Sequence, residues 1–275
     1  MADGDFATVS EVRRICGIAS TDISDADVGY MIADAEAAIP RFFNTVFIPT
    51  EVIQKFDGKG TNRLLLDYNP LLSVRELRID GNVYNPDTLE VYKDSGYIFL
   101  GNSAETSTFT TKRNSVIVKY IYGTVEHSST SSTSSTDEAA GTDVSIALDS
   151  ITGFADEDWV EIMGMDGNQE VAQINAVPGA GAIVVDKLVL AHESGSKVTK
   201  LEISQNFIKL MNLVCGIACV ARIIGQSYTD IVGYNLGEMH VQKGEPYTQW
   251  RETANQLIKE RDMLMSRISI RPRVM

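Results

Sequence analysis

The stretch 201–225, LEISQNFIKLMNLVCGIACVARIIG, decides how the chain is read, because its polar residues are few: Glu202, Ser204, Gln205, Asn206, Lys209, Asn212 and Arg222. From Leu210 to Ile224 nearly every position around a helical wheel is apolar. A helix of that kind is buried in a large core, buried between subunits, or in lipid. The apolar run is shorter than the roughly 20 residues a bilayer span requires, and Asn212 and Arg222 interrupt it, so no membrane partner is assigned. The stretch is predicted to be the central helix of a bundle. Its core residues are Leu210, Leu213, Val214, Ile217, Val220 and Ile224, joined by Trp250 and Leu257 from a later helix.

Two amphipathic segments are available to cover it. Thr8 or Ser10 caps a short helix through SEVRRICG that ends at Gly17, and Asp22 and Ser24 precede DADVGYMIADAEAAIPRFFN. In the second, Val28, Met31, Ile32, Ala35 and Ile39 recur at spacings of three and four, opposite Asp27, Asp34 and Glu36. Pro40 is expected to end or bend this helix near Ile39, with Phe42, Phe43 and Phe47 wedged into the core behind it. After 201–225, Glu245 and Pro246 open a further amphipathic helix whose face carries Tyr247, Trp250, Ala254, Leu257, Ile258, Arg261 and Leu264.

Between Thr50 and Gly123 the period is two. VIQKFDG, RLLLDY, SVRELRIDG, LEVYKDSGYIFL and SVIVKYIYG are short β-rich runs separated by Gly, Pro, Asn and Asp turns, an antiparallel meander. Residues 127–141, HSSTSSTSSTDEAAG, read as a Ser/Thr linker. Residues 142–200 alternate again, with turns at MDGN, PGAG and ESGS, and predict a small all-β barrel or sandwich. The expected fold class is therefore α+β: a helical bundle with an antiparallel β meander (1–126 and 201–275), into which the small β-domain is inserted.

Asp and Glu number 37 against 24 Lys and Arg, a formal net charge of −13. That balance argues against a duplex-DNA binder, which carries a basic face. The region 137–200 is the extreme case, with twelve carboxylates against Lys187, Lys197 and Lys200. Three cysteines, Cys16, Cys215 and Cys219, leave one unpaired in any disulfide scheme; Cys215 and Cys219 lie one helical turn apart and read as small core residues. The first residues carry no basic-then-apolar signal pattern, so folding in a reducing cytoplasm is expected. No HExxH, GxxxxGK[ST], GxSxG or CxxC motif occurs, and His127, His192 and His240 are scattered. The cluster Asp156, Glu157, Asp158 reads either as a hard-oxygen cation site or as an exposed acidic turn without an ion. No enzyme activity, catalytic residue, cofactor or metal is assigned.

The chain ends in SRISIRPRVM, where Ile268, Ile270 and Val274 alternate with Arg267, Arg271 and Arg273 before Met275. A basic, apolar segment in so acidic a protein reads either as a frayed terminus or as a peptide that orders on a partner.

The run FDGKGTNRLLLDYNPLLSVRELRIDGNVYNPDTLEVYKDSGYIFL, followed by SVIVKYIYG, resembles the head–tail connector (adaptor) proteins of tailed bacteriophages. The flanking helices DADVGYMIADAEAAI and GEPYTQWRETANQLIKERDMLM are similar to that family too, whereas 127–200 departs from its short form. The resemblance implies a structural protein of the virion neck, made in the host cytoplasm. Its copies form a ring, usually of twelve, under the portal protein, and the ring extends the DNA channel without binding DNA specifically. The ring also receives a downstream neck or tail protein. The resemblance further implies that the C-terminal segment, here Arg267, Ile268, Ile270, Arg271, Arg273, Val274 and Met275, docks on the portal. An alternative is a neck-located binding module whose inserted β-domain docks fibres or host glycans.

Overall fold

Two capping signals start the first helices of the structure, a computed structural model that describes residues 6–43, 45–101, 108–179, 181–229 and 245–267. Thr8 is extended and its Oγ1 accepts from Glu11 N at 3.2 Å, which opens α1 (Val9–Cys16). Gly17, at φ 63°, closes it in the left-handed region that glycine adopts without a Cβ clash. Ser24 Oγ accepts from Asp27 N at 3.2 Å and donates to Asp27 Oδ2 at 2.7 Å, opening α2 (Asp25–Phe43). This helix runs on through Pro40 rather than stopping near Ile39. Two longer helices follow much later, α3 (Gln205–Thr229) and α4 (Glu245–Arg267).

Contacts divide the chain into two units, 1–44 with 204–275, and 45–203. In the first, α3 packs against α1, α2 and α4. Val28, Ile32, Phe207, Leu210, Met211, Leu213 and Val220 are buried there, each worth about 2 kcal/mol of transfer free energy. Phe6 meets Phe207 edge-on at 5.2 Å between ring centroids. Two ion pairs tie the outer faces, Arg222–Asp27 at 2.7 Å and Lys209–Glu260 at 2.5 Å. All three cysteines are buried free thiols. Burial, reinforced by the neighbouring Cys219, pushes the Cys16 thiol up to about 12, and burial does the same for Cys215. These groups therefore act as compact apolar side chains rather than as nucleophiles. Where α1 crosses α3, Cys16 rests on the backbone of Gly216: a Cβ there would lie 1.9 Å from Cys16 Sγ.

The second unit is built of strands, with one short 3-10 turn at Pro86–Thr88. β1 (Thr50–Phe56), β3 (Leu71–Ile79), β4 (Asn82–Tyr84) and β7 (Val116–Tyr122) form a four-stranded sheet in the order β1-β7-β3-β4. β2 (Arg63–Leu65), β5 (Leu89–Tyr92) and β6 (Tyr97–Leu100) form a three-stranded sheet in the order β2-β6-β5. Leu64, Ile98 and Leu100 of the smaller sheet share a core with Leu77, Val118 and Tyr120 of the larger. Tyr120 is fully buried yet satisfied: its hydroxyl donates to Gln54 Oε1 at 2.5 Å and accepts from Tyr68 N at 3.3 Å. Burial pushes that phenol well above its ordinary pKa.

The third sheet has six strands, β8 (Glu126–Thr133), β9 (Gly141–Ala147), β10 (Trp159–Met163), β11 (Gln169–Gly179), β12 (Ala182–Leu188) and β13 (Lys197–Glu202), in the order β8-β13-β10-β11-β12-β9. Ile146, Val160, Ile162, Ile174, Ile183, Val185 and Val198 make its own core.

These strands correct the fold class expected from the sequence. Among the described residues the chain is mostly β, with thirteen strands in three antiparallel sheets against four helices, so it is not an α+β fold led by a helical bundle. The six-stranded sheet is not a closed barrel either. Its outer strands β8 and β9 meet at the isolated bridge Ser134–Leu148, where Ser135 N donates to Ala147 O and Asp149 N to Thr133 O, without forming a continuous ladder. The Ser/Thr run read as a linker is strand β8, paired with β13 from Lys197–Thr133 to Glu202–Glu126. Backbone ladder bonds do not need apolar side chains, and β-branched threonine favours extended backbone.

One side chain links the four-stranded sheet to the six-stranded one. The β3–β7 register shifts between Val74 and Glu76, a bulge that re-aims Arg75. The Arg75 guanidinium is fully buried; it donates to both Asp186 carboxylate oxygens at 3.0 and 3.1 Å and to Lys187 O at 2.6 Å, all on β12. Ile121, Val171 and Leu201, with Leu72, Val125 and Trp159, form an apolar seam between the same two sheets.

Two measurements test this packing. Arg75→Ala is expected to lower unfolding stability by about 3 kcal/mol in urea melts, the low end for a broken buried pair because Asp186 is partly exposed. Gly216→Ala is expected to cost about 1–3 kcal/mol by overpacking, and to cost less in a Cys16→Ala background, where the obstructing sulfur is gone.

Candidate functional site

The residues expected to carry function fall in three places. Of the docking segment, Arg267 ends α4, and Ile268, Ile270, Arg271, Arg273, Val274 and Met275 lie outside the described residues. Of the expected helix-core residues, Leu210, Leu213, Val220 and Leu257 are buried and Val214 and Ile217 half-buried. The side chains of Ile224 and Trp250, like those of Phe42 and Phe43, lie outside the described residues. Asn212, which interrupts the apolar run, is buried; its Nδ2 turns back to donate to Ile208 O at 2.9 Å, one turn earlier on its own helix. The span Gln205–Ile223 is long and apolar enough for a bilayer by composition alone, but here it packs against three other helices.

In the β unit, a cleft of about 440 Å³ opens beside the apolar seam, lined by Leu71, Leu72, Lys93, Glu126, His127, Glu161, Gln169 and Leu201. Its polar centre is the Glu161 carboxylate on β10. His127 Nε2 lies 2.5 Å from one oxygen and Lys93 Nζ 3.6 Å from the other, while Lys93 donates to Gln169 Oε1 at 2.5 Å. Burial pulls the Lys93 pKa below its ordinary value, and the Glu161 charge opposes that shift. The group joins β5–β6 turn, β8, β10 and β11, so its chemistry is charge pairing between sheets. Sequence reasoning left His127 in a linker and Lys93 in a β-rich run; no local pattern reports that they converge, since their partner is contributed 34 or more positions later.

A second polar group is more deeply set. Glu170 and His192 are 1% and 3% exposed, and His192 Nε2 lies 2.8 Å from Glu170 Oε1. The same carboxylate accepts from Val189 N at 2.8 Å and Leu190 N at 3.1 Å, which fixes the chain after β12. The acidic run Asp156–Asp158 is spent on local structure: Asp156 Oδ1 accepts from Val177 N, and Asp158 accepts from Ala155 N and pairs with Lys200 at 2.8 Å. Trp159 is half-buried in the apolar seam and offers no free stacking platform.

No curated protein matches the chain. Residues 5–132, however, match the family model described as Head completion protein, a structural phage family and not an enzyme family. The matched segment holds α1, α2, the four- and three-stranded sheets and β8 up to its penultimate residue. Over that segment, a little under half of the chain, the match is to a phage head–tail connector family, in agreement with the resemblance drawn from its turns and strands.

Proposed function

We propose that the chain is a structural head–tail adaptor of a tailed virus, whose copies form a ring under the portal and extend the DNA channel toward the next neck or tail component. The observation that carries this reading is the Head completion protein match across 5–132. Charge is consistent with it: at a net −13 the surface repels the duplex that slides past it, where a basic face would hold it. The helical unit offers the contacts between neighbouring copies, and residues 267–275 are the portal-binding peptide. Ile268, Ile270 and Val274 gain affinity by burial, and Arg271 and Arg273 by charge-assisted bonds to portal carboxylates. Ordering a terminal peptide opposes binding, and many copies on one ring offset that cost through avidity.

Mass measurement of the protein mixed with its portal tests the proposal. Full-length chain is expected to form a discrete multi-copy complex, and a chain lacking 267–275 to lose it while keeping its thermal unfolding transition. Unchanged portal affinity in the truncated chain would remove the docking role from the tail.

A further inference from the structure

Two loops, one after β1 and one before β7, are stitched together at one end of the four-stranded sheet. Gly58 N donates to Lys112 O at 3.0 Å, Asn114 N to Asp57 Oδ1 at 2.7 Å and Phe109 N to Thr61 O at 2.8 Å. Gly58 lets the backbones meet, since a Cβ there would stand 1.5 Å from Thr110 O. Residues 55–63 and 110–115 carry Lys55, Lys59, Arg63, Lys112 and Arg113 against Asp57 alone, in a chain of net charge −13. All five cations are exposed, and among the described residues Lys112 alone of the five has an ion pair, with Asp80 at 3.3 Å. A cleft of about 450 Å³ opens beside them, lined by Lys59 and Arg63 together with Phe56, Leu65, Tyr97 and Phe109. Its carboxylates are engaged, Asp57 as above and Asp67 by accepting from Gln54 Nε2 at 3.2 Å. From Tyr97 the apolar surface continues over the three-stranded sheet, where Tyr92 packs on Phe99 at 5.0 Å between centroids and stays 53% exposed. A phosphate backbone would use the cations but not the aromatic wall, so the surface fits a protein partner that is both apolar and acidic.

A surface of that character is present on the six-stranded sheet of the same chain. From Tyr120 to Asp186 the sequence holds twelve carboxylates and no lysine or arginine. At the β10–β11 hairpin this charge is joined by apolar side chains left in solvent, Met163 at 42% and Met165 at 73% exposure. Met165 lies against the turn at Gly195, its Sδ 3.8 Å from where a Cβ would stand, and Asp137 Oδ1 accepts from Ser194 N at 2.8 Å in that turn. Asp137, Asp166 and Glu193, all exposed, thus gather at the same end as Met165, and outnumber Lys197, which stands opposite Met163 on β13.

We propose that the β10–β11 hairpin of a second copy of this chain docks in the cleft, with Met165 against Leu65 and Tyr97, and Asp166 and Glu193 toward Lys59 and Arg63. The contact joins two different patches, so it runs head to tail and each copy keeps one patch for the next. A two-fold contact at either patch would instead bring like charges together. A head-to-tail contact closes into a ring when its rotation closes. The inference rests on the ring reading and names one surface within it. A single hairpin is small beside the roughly 800 Å² that each partner of a stable interface buries, so this contact adds to those of the helical unit.

Sedimentation velocity of the full chain, alone and with its portal, over a range of concentration and salt tests the contact. Lys59→Glu with Arg63→Glu reverses the cleft, and Met165→Lys with Glu193→Lys reverses the hairpin. None of these four side chains makes a hydrogen bond or ion pair among the described residues, so each variant is expected to keep the parent's thermal unfolding transition. Association of the parent is expected to weaken with salt, and each variant alone to associate at least about tenfold more weakly. An equimolar mixture of the two variants is expected to recover assembly, because a reversed cleft then meets a reversed hairpin. The proposal is overturned if either variant assembles as the parent does, if the mixture stays as weak as its components, or if the cleft variant loses only affinity for a labelled DNA duplex. Those outcomes leave the ring reading standing, whereas a parent chain that gives no multi-copy complex even with portal removes the ring and this contact together.

Discussion

A guanidinium taken wholly out of water has to be met by an opposite charge or the fold around it fails, and Arg75 imposes that condition on the whole β unit. It leaves the four-stranded sheet at a bulge, and its two terminal nitrogens meet Asp186 and Lys187 O, which belong to a sheet more than a hundred residues further along. Asp186 in turn accepts from Gln173 N at 2.9 Å, so the charge that receives Arg75 is itself held by β11. Because an ion pair has direction, it fixes the register between two sheets that an apolar seam alone would let slide. The seam of Ile121, Val171 and Leu201 supplies the burial; the pair supplies the alignment.

The helical unit solves a different problem with fewer devices. α3 is apolar on too many sides for one neighbour to cover, and α1, α2 and α4 all lie against it. The closest approach is made by omission, at Gly216, where the missing side chain admits the Cys16 sulfur. The three cysteines serve as small packing groups, as Cys215 and Cys219 read in the sequence, and burial keeps Cys16 and Cys215 as thiols.

Some of this was legible in the sequence. The caps at Thr8 and Ser24, the buried stripe Val28–Ile32–Ala35–Ile39 and the two-residue period of the meander are local signals, and local signals survive reading one residue type at a time. What failed depended on partners far away. The serine and threonine of β8 carry no apolar alternation, and they are extended because β13 supplies their ladder. Nothing within SVRELRIDG marks Arg75 for burial, because its counter-charge Asp186 lies 111 positions later. The balance of helix and sheet was misjudged for the same reason, since a polar strand gives the eye nothing to count. His192 stood as a scattered histidine because its partner Glu170 lies on β11, 22 positions earlier in the chain.

The end of the family match has a consequence for how detachable the acidic region is. The match stops at residue 132, inside β8, so a strand belonging to the matched segment is the outermost member of the six-stranded sheet. The remaining strands do not hang on a tether: β13 pairs directly with β8, and β12 supplies the aspartate that meets Arg75. Cutting away 134–203 would strand β8 without its ladder and Arg75 without its counter-charge. Without that region the same arginine would face solvent in place of a carboxylate, so the burial of Arg75 is a property conferred on the matched segment by the strands that follow it.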